Sequence, residues 1–222
     1  MRRICALVLC LSLLVLPARG EETRYVALTF DDGPSGRFTR RLLDGLEQRR
    51  VQATFLLCGY RLKDDPKTAK MIFEAGHEIG LHGYSHDDMG KMDQKKAAKE
   101  IADTYALLPD GCKPVFLRPP GGSFGEPLLK AAEEAGLALL SWSVDPRDWA
   151  VRDAGAVQAA VLADVRDGDV ILLHDMSDSS VDAALGIIDS LQRQGFCFVT
   201  VSELARLRGI TPEPGKKYTS FR

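Results

Sequence analysis

From residue 24 onward the chain alternates short β-branched and aromatic runs with longer stretches whose apolar residues recur at helical spacing. The expected strands are Tyr25–Phe30, Ala53–Leu57, Glu78–Leu81, Val115–Leu117, Ala138–Trp142, Val170–Leu173 and Phe196–Val199. Between them, Phe38, Leu42, Leu43 and Leu46 mark one helix, and Ala98, Ile101, Ala102 and Tyr105 mark another. Leu128, Leu129 and Ala132 open a third, stopped by Gly136, and Leu185, Ile188 and Leu191 a fourth, stopped by Gly195. Such alternation calls for crossover units on a parallel sheet. Seven strands suit a barrel one unit short of the eightfold one, which takes roughly 250 residues. An open doubly wound sheet is the alternative arrangement. No repeat or linker divides the chain, so a single domain is expected over residues 21–210. Residues 211–222, with two prolines and several polar residues, read as an extended or loose tail.

The first 20 residues follow different rules. Arg2 and Arg3 precede an apolar run from Ile4 to Leu16, and Pro17-Ala18-Arg19-Gly20 closes it with small residues. A charged start, an apolar middle and a small-residue end make a secretory signal peptide, with an uncleaved anchor as the alternative. The run is shorter than the roughly 20 apolar residues that span a bilayer. The expected location is therefore outside the cytoplasm, secreted or in the cell envelope. Removing residues 1–20 leaves 26 basic against 31 acidic residues, a net charge of −5. No basic footprint for nucleic acid remains. The same cut leaves three cysteines, Cys58, Cys112 and Cys197, whose spacing fits no zinc ribbon. They are compatible with three plain thiols or with one bridge and a free thiol.

In a parallel barrel, chemistry collects where strands end. Five polar groups stand at such points. Thr29-Phe30-Asp31-Asp32-Gly33-Pro34 places two adjacent carboxylates before a turn. His82-Gly83-Tyr84-Ser85-His86 spaces two histidines four apart, which on a helical turn would put both on one face and suit a divalent metal. Arg118-Pro119-Pro120-Gly121-Gly122 offers a rigid loop whose glycines let backbone N–H groups approach a ligand. Asp145-Pro146-Arg147-Asp148-Trp149 and Leu172-Leu173-His174-Asp175 complete the set. Each reads singly as an ordinary turn or a packed side chain; together, each at the end of a different strand, they read as a site.

The motifs TFDDG, HGYSH, RPPGG, DPRDW and LLHD, in this order, resemble those of the polysaccharide deacetylases of the NodB-homology type, carbohydrate esterase family 4. The resemblance spans roughly residues 24–205 and implies a distorted (β/α)7 barrel. It implies a divalent metal, most often zinc, held by Asp32, His82 and His86. Asp31 would be the general base, with Arg118 holding it in place and ionised, and His174 the general acid, oriented by Asp148. The Gly121 N–H would bind the oxyanion, and Leu172 and Trp149 would line the pocket near the acetyl methyl. The implied reaction removes N-acetyl groups from a polysaccharide, peptidoglycan first and chitin-like oligosaccharides next. An O-acetyl esterase and a non-catalytic carbohydrate-binding module are the alternatives. Leu81 and Gly83 depart from the family's usual Asn and Ser or Thr beside the first histidine, and Gly121 replaces a frequent Tyr.

Overall fold

The computed structural model describes residues 23–222; the expected signal segment, residues 1–20, lies outside them. Among the described residues eight strands alternate with eight helices. The strands are β1 (Arg24–Gly33), β2 (Thr54–Leu57), β3 (Glu78–Leu81), β4 (Phe116–Leu117), β5 (Ala138–Leu140), β6 (Val170–His174), β7 (Phe196–Phe198) and β8 (Lys217–Tyr218). The helices are α1 (Arg37–Arg49), α2 (Gly59–Asp64), α3 (Pro66–Glu74), α4 (Gln94–Tyr105), α5 (Glu126–Glu134), α6 (Ala154–Asp164), α7 (Asp178–Arg193) and α8 (Val201–Leu207). Five of these helices start on a side chain that accepts a backbone N–H of the first turn: Asp65, Asp93, Asp153, Ser177 and Thr200. Such caps satisfy donors that a helix cannot satisfy internally.

All strand pairings are parallel, in the order β6-β1-β2-β3-β4-β5-β8, with β7 joined to the first residues of β1. A bridge between Val144 and Ile171 brings the segment beyond β5 back to β6. The sheet is thus a distorted barrel of the β/α kind, and the largest apolar cluster lies between it and the covering helices. Phe30, Phe55 and Ile171, all shielded from solvent, pack beneath Leu42, Leu46, Ile187 and Leu191 of the covering helices.

The last twelve residues, expected as an extended or loose tail, pack onto the sheet. They are extended but not loose: β8 pairs with β5 through Leu139–Lys217 and Leu140–Tyr218. The Phe221 N–H then donates to the Gly168 carbonyl at 2.8 Å. Phe221 is fully buried, and its ring meets those of Phe116 and Tyr218. Arg222 Nε donates to the buried Asp169 carboxylate at 2.9 Å. The tail therefore spans the space between β5 and the approach to β6. Buried apolar surface holds it there, and its two-residue strand is too short to show as a pattern in the sequence.

Candidate active site

The strand ends converge as parallel-barrel geometry requires. Asp31 and Asp32 lie at the end of β1, His82 follows β3, Arg118 follows β4 and His174 ends β6. A cavity of about 420 Å3 is lined by Asp31, Asp32, His82, His86, Gly121, Trp142, Asp145, Trp149, Leu172 and His174. A larger cavity of about 550 Å3, beside Leu43, His77 and Phe198, contains none of the five motifs.

Two adjacent carboxylates on a regular strand would point to opposite faces. Here β1 changes register against β2 between Asp31 and Gly33, so Asp32 is the extra residue of a bulge, with φ of 70°. The bulge re-aims the second side chain, and both carboxylates line the same cavity.

Asp31 is buried and takes a hydrogen bond of 2.6 Å from Arg118 Nη1. The same nitrogen donates to Thr29 Oγ1 at 2.8 Å, and Nη2 donates to the Ser141 carbonyl at 2.8 Å. Arg118 has no exposed surface, which explains its many fixed partners: a buried guanidinium is tolerated only when paired. Thr29 in turn donates to the Ile171 carbonyl at 2.7 Å, so the Asp31–Arg118 pair is tied to β6 as well as β5.

Asp32, His82 and His86 each present one atom within 4.8 Å of the others. His82 Nδ1 lies 2.7 Å from the Arg118 carbonyl. A carbonyl can only accept, so Nδ1 carries the proton and Nε2 keeps its lone pair for a ligand, the arrangement expected of a metal-binding imidazole. Asp32 Oδ1 lies 3.3 Å from His82 Nε2 and 2.9 Å from His86 Nε2, yet this buried oxygen makes no aligned hydrogen bond. Three donor atoms gathered around a common point without bonding one another fit a divalent cation. Burial pushes the Asp32 carboxyl up, but the two imidazoles outweigh it and hold it far below the usual carboxylate range. Asp32 raises His86 in return.

The two histidines do not share a helical turn. Residues 82–86 form an irregular loop, with Gly83 at φ 72° and His86 at φ 63°. Glu100 on α4 braces this loop, accepting from the N–H groups of Tyr84 at 2.7 Å and Ser85 at 2.9 Å. No pattern in the sequence points to Glu100.

Opposite this cluster, His174 Nδ1 is 2.7 Å from Asp148 Oδ1, and its backbone N–H donates to Asp148 Oδ2 at 2.9 Å. The carboxylate grips both ring and backbone. Burial disfavours the imidazolium, but the hydrogen bond and charge of Asp148, helped by Asp31 and Asp32, prevail and hold the His174 pKa up at about 9.

Leu172 is buried and Trp149 is 58% exposed, so one forms an apolar wall and the other a surface platform at the mouth. Gly121 lies in the left-handed region at φ 65°, and a Cβ there would meet open space. A side chain at this position would project into the cleft; its lack widens the cleft. At Gly122 a Cβ would come within 2.7 Å of the Trp142 ring, so the loop lies flat against that indole.

Cys58, Cys112 and Cys197 are all free thiols. Burial pushes the Cys58 thiol far up, with Asp32 and Asp31 adding to the effect, and takes Cys112 to about 11. Asp175, next to His174, is fully buried, and Thr39 Oγ1 donates a hydrogen bond to its carboxylate. Burial raises its pKa to about 6.

The family model described as polysaccharide deacetylase matches residues 18–140. A peptidoglycan-N-acetylglucosamine deacetylase of Bacillus cereus is 37% identical over 191 residues, covering 83% of this chain and 90% of that one. A chitooligosaccharide deacetylase of Sinorhizobium fredii is 34% identical over 197 residues, covering 82% and 92%. Among solved structures, a family 4 acetyl xylan esterase of Clostridium thermocellum in complex with a cobalt ion superimposes with a TM-score of 0.82 at 35% identity, covering 89% of this chain and 98% of that one. Sequence similarity reaches across more than half of the chain and extends over nearly the full length of these relatives, and the barrel itself superimposes: the chain belongs to the polysaccharide deacetylase family.

Proposed function

We propose that this protein is an exported, metal-dependent N-deacetylase of a polysaccharide, acting first on the N-acetylglucosamine of peptidoglycan and next on chitin-like oligosaccharides. One observation carries the reading. A carboxylate held by a buried arginine, an Asp-His-His ligand set and an imidazole clamped by a carboxylate all face one cavity.

Removing an acetyl group from an amide requires a nucleophile, a place for developing negative charge and a proton for the departing amine. Asp32, His82 and His86 would hold a divalent cation, with zinc suited to two imidazoles and one carboxylate. Such a cation lowers the pKa of water and polarises a carbonyl oxygen. Asp31 takes the proton from the attacking water, kept in position by Arg118 Nη1. The Gly121 N–H donates toward the oxygen that becomes negative. His174, with its pKa at about 9, carries a proton at neutral pH and delivers it to the leaving nitrogen. Leu172 shields the acetyl methyl, and the Trp149 face receives the sugar ring.

An acetyl ester could be attacked by the same groups, and the similarity to an acetyl xylan esterase keeps O-deacetylation as the second reading. Amide cleavage depends more on protonating the leaving group, which is what the Asp148–His174 pair provides. The export reading rests on residues 1–20, whose charged start and apolar middle supply the signal.

The test is acetate release by purified residues 21–222 from peptidoglycan, N-acetylglucosamine oligomers and acetylated xylan. Release from the first two, abolished by chelator and restored by zinc, is the expected result. Release from xylan alone would favour the esterase. Metal binding with no release from any substrate would favour a carbohydrate-binding module.

A further inference from the structure

Beside the cleft lies a second cavity of about 360 Å3. It shares Asp32, Trp149 and His174 with the first and adds Asp148, Arg152, Met176, Ser177 and Ser180. Trp149, more than half exposed, belongs to both walls, so a sugar resting on the indole reaches into both spaces.

The charges around this second space are mostly committed. Asp148 is bound to His174, and Asp32 belongs to the cluster it forms with His82 and His86. Asp178, at the start of α7, pairs with Arg37 and Arg41. Asp153 caps α6 by accepting from the Ala156 N–H at 2.8 Å. Arg152 is the exception: among the described residues it forms no ion pair and no side-chain hydrogen bond, and it lines the cavity. Arg147 is the second uncommitted cation; its guanidinium stacks 5.4 Å from the Trp149 ring and meets no carboxylate among the described residues. Two unpaired arginines thus flank one exposed tryptophan in a chain whose acidic residues outnumber its basic ones. A guanidinium fork suits a planar carboxylate, and an indole face suits a sugar ring.

We propose that this second cavity is a subsite for a carboxylate-bearing sugar residue next to the one that is deacetylated, with Arg152 as the main ion partner and Arg147 as an auxiliary. The inference rests on the deacetylase reading and narrows its substrate class to an acidic glycan over a neutral one. In peptidoglycan such a carboxylate comes from the lactyl ether of the neighbouring sugar or from an attached peptide.

The experiment compares kcat/KM for acetate release from four substrates of matched length. They are glycan strands stripped of peptide, the same strands methyl-esterified, strands carrying peptide, and a neutral N-acetylglucosamine oligomer. Wild type is expected to favour the stripped strands over the neutral oligomer. In Arg152→Gln that selectivity ratio falls about tenfold, mainly through KM, as expected for one charge-assisted contact. Esterification reproduces the loss in wild type and adds nothing in the variant. If only peptide-bearing strands show the effect, the carboxylate recognised is that of the peptide; if stripped strands show it, it is the lactyl one. An active wild type whose ratio is unchanged by Arg152→Gln and by esterification overturns the subsite. A zinc-loaded wild type that releases acetate from none of the four overturns the deacetylase reading itself.

Discussion

Replacing Asp148 by Asn removes one charge from the pair that controls His174 and leaves the shape nearly unchanged. In the native protein the two contacts, 2.7 Å to Nδ1 and 2.9 Å from the backbone N–H, hold the imidazole in place, and its pKa stands at about 9 against an ordinary 6.5. That gap corresponds to roughly 3 kcal/mol favouring the imidazolium. A raised pKa keeps His174 protonated until the pH climbs past about 9, so a general acid there loses activity only in the alkaline range. In Asp148→Asn, burial goes unopposed by that charge, and the pKa returns to about 6.5 or lower. A bound cation acts on both proteins alike and largely cancels from the comparison. At pH 7.5 the acid form then falls from nearly all of the protein to about a tenth, a rate loss of roughly tenfold from protonation alone. Misorientation of the ring adds to this. The assay is acetate release from N-acetylglucosamine oligomers across pH 5.5–10 at saturating zinc, with His174 ring-proton NMR on the metal-free protein as a second readout. The expected result is an alkaline limb that moves down by two or more pH units while zinc affinity stays unchanged. An alkaline limb at the same pH in both proteins would refute the claim that Asp148 sets the acid.

Other expectations follow from the supports around the site. Glu100→Ala removes the acceptor for the Tyr84 and Ser85 N–H groups, so zinc affinity should fall about tenfold, read by competition with a chelating dye, while the thermal midpoint drops only modestly. Phe221→Ala empties a fully buried ring position and should cost about 3–4 kcal/mol in urea unfolding; a loss under about 0.5 kcal/mol would mean that the tail does not hold the barrel. In native residues 21–222 a thiol reagent should label Cys197 quickly and leave Cys58 and Cys112 untouched until unfolding, because only Cys197 is exposed.

The alternation of strands and helices was legible because period-2 and period-3.6 patterns are local properties, and the five polar groups stood out because each follows an apolar run. What could not be read depends on distance in the chain. The two-residue strand at Lys217–Tyr218 finds its partner some 78 residues earlier, and it is held by its pairing with β5 together with the tertiary burial of Phe221. Thr29 and Ser141, which complete the partners of Arg118, look like any polar residue in a strand or loop. The four-residue spacing of His82 and His86 suggested a helical turn; positive φ values at Gly83 and His86 achieve the convergence in a loop instead. The bulge at Asp32 left no signature beyond two adjacent carboxylates, although it is what turns both of them to one side.

In the proposed reaction Asp31 transfers a proton next to a metal held by other residues. Asp31→Asn tests it directly, measured as zinc stoichiometry and acetate release on the same preparation. One zinc per chain with acetate release lowered by 100-fold or more is the expected result, within the range that removal of a general base produces. Release within a few-fold of wild type, with zinc bound and the barrel folded, would contradict the account.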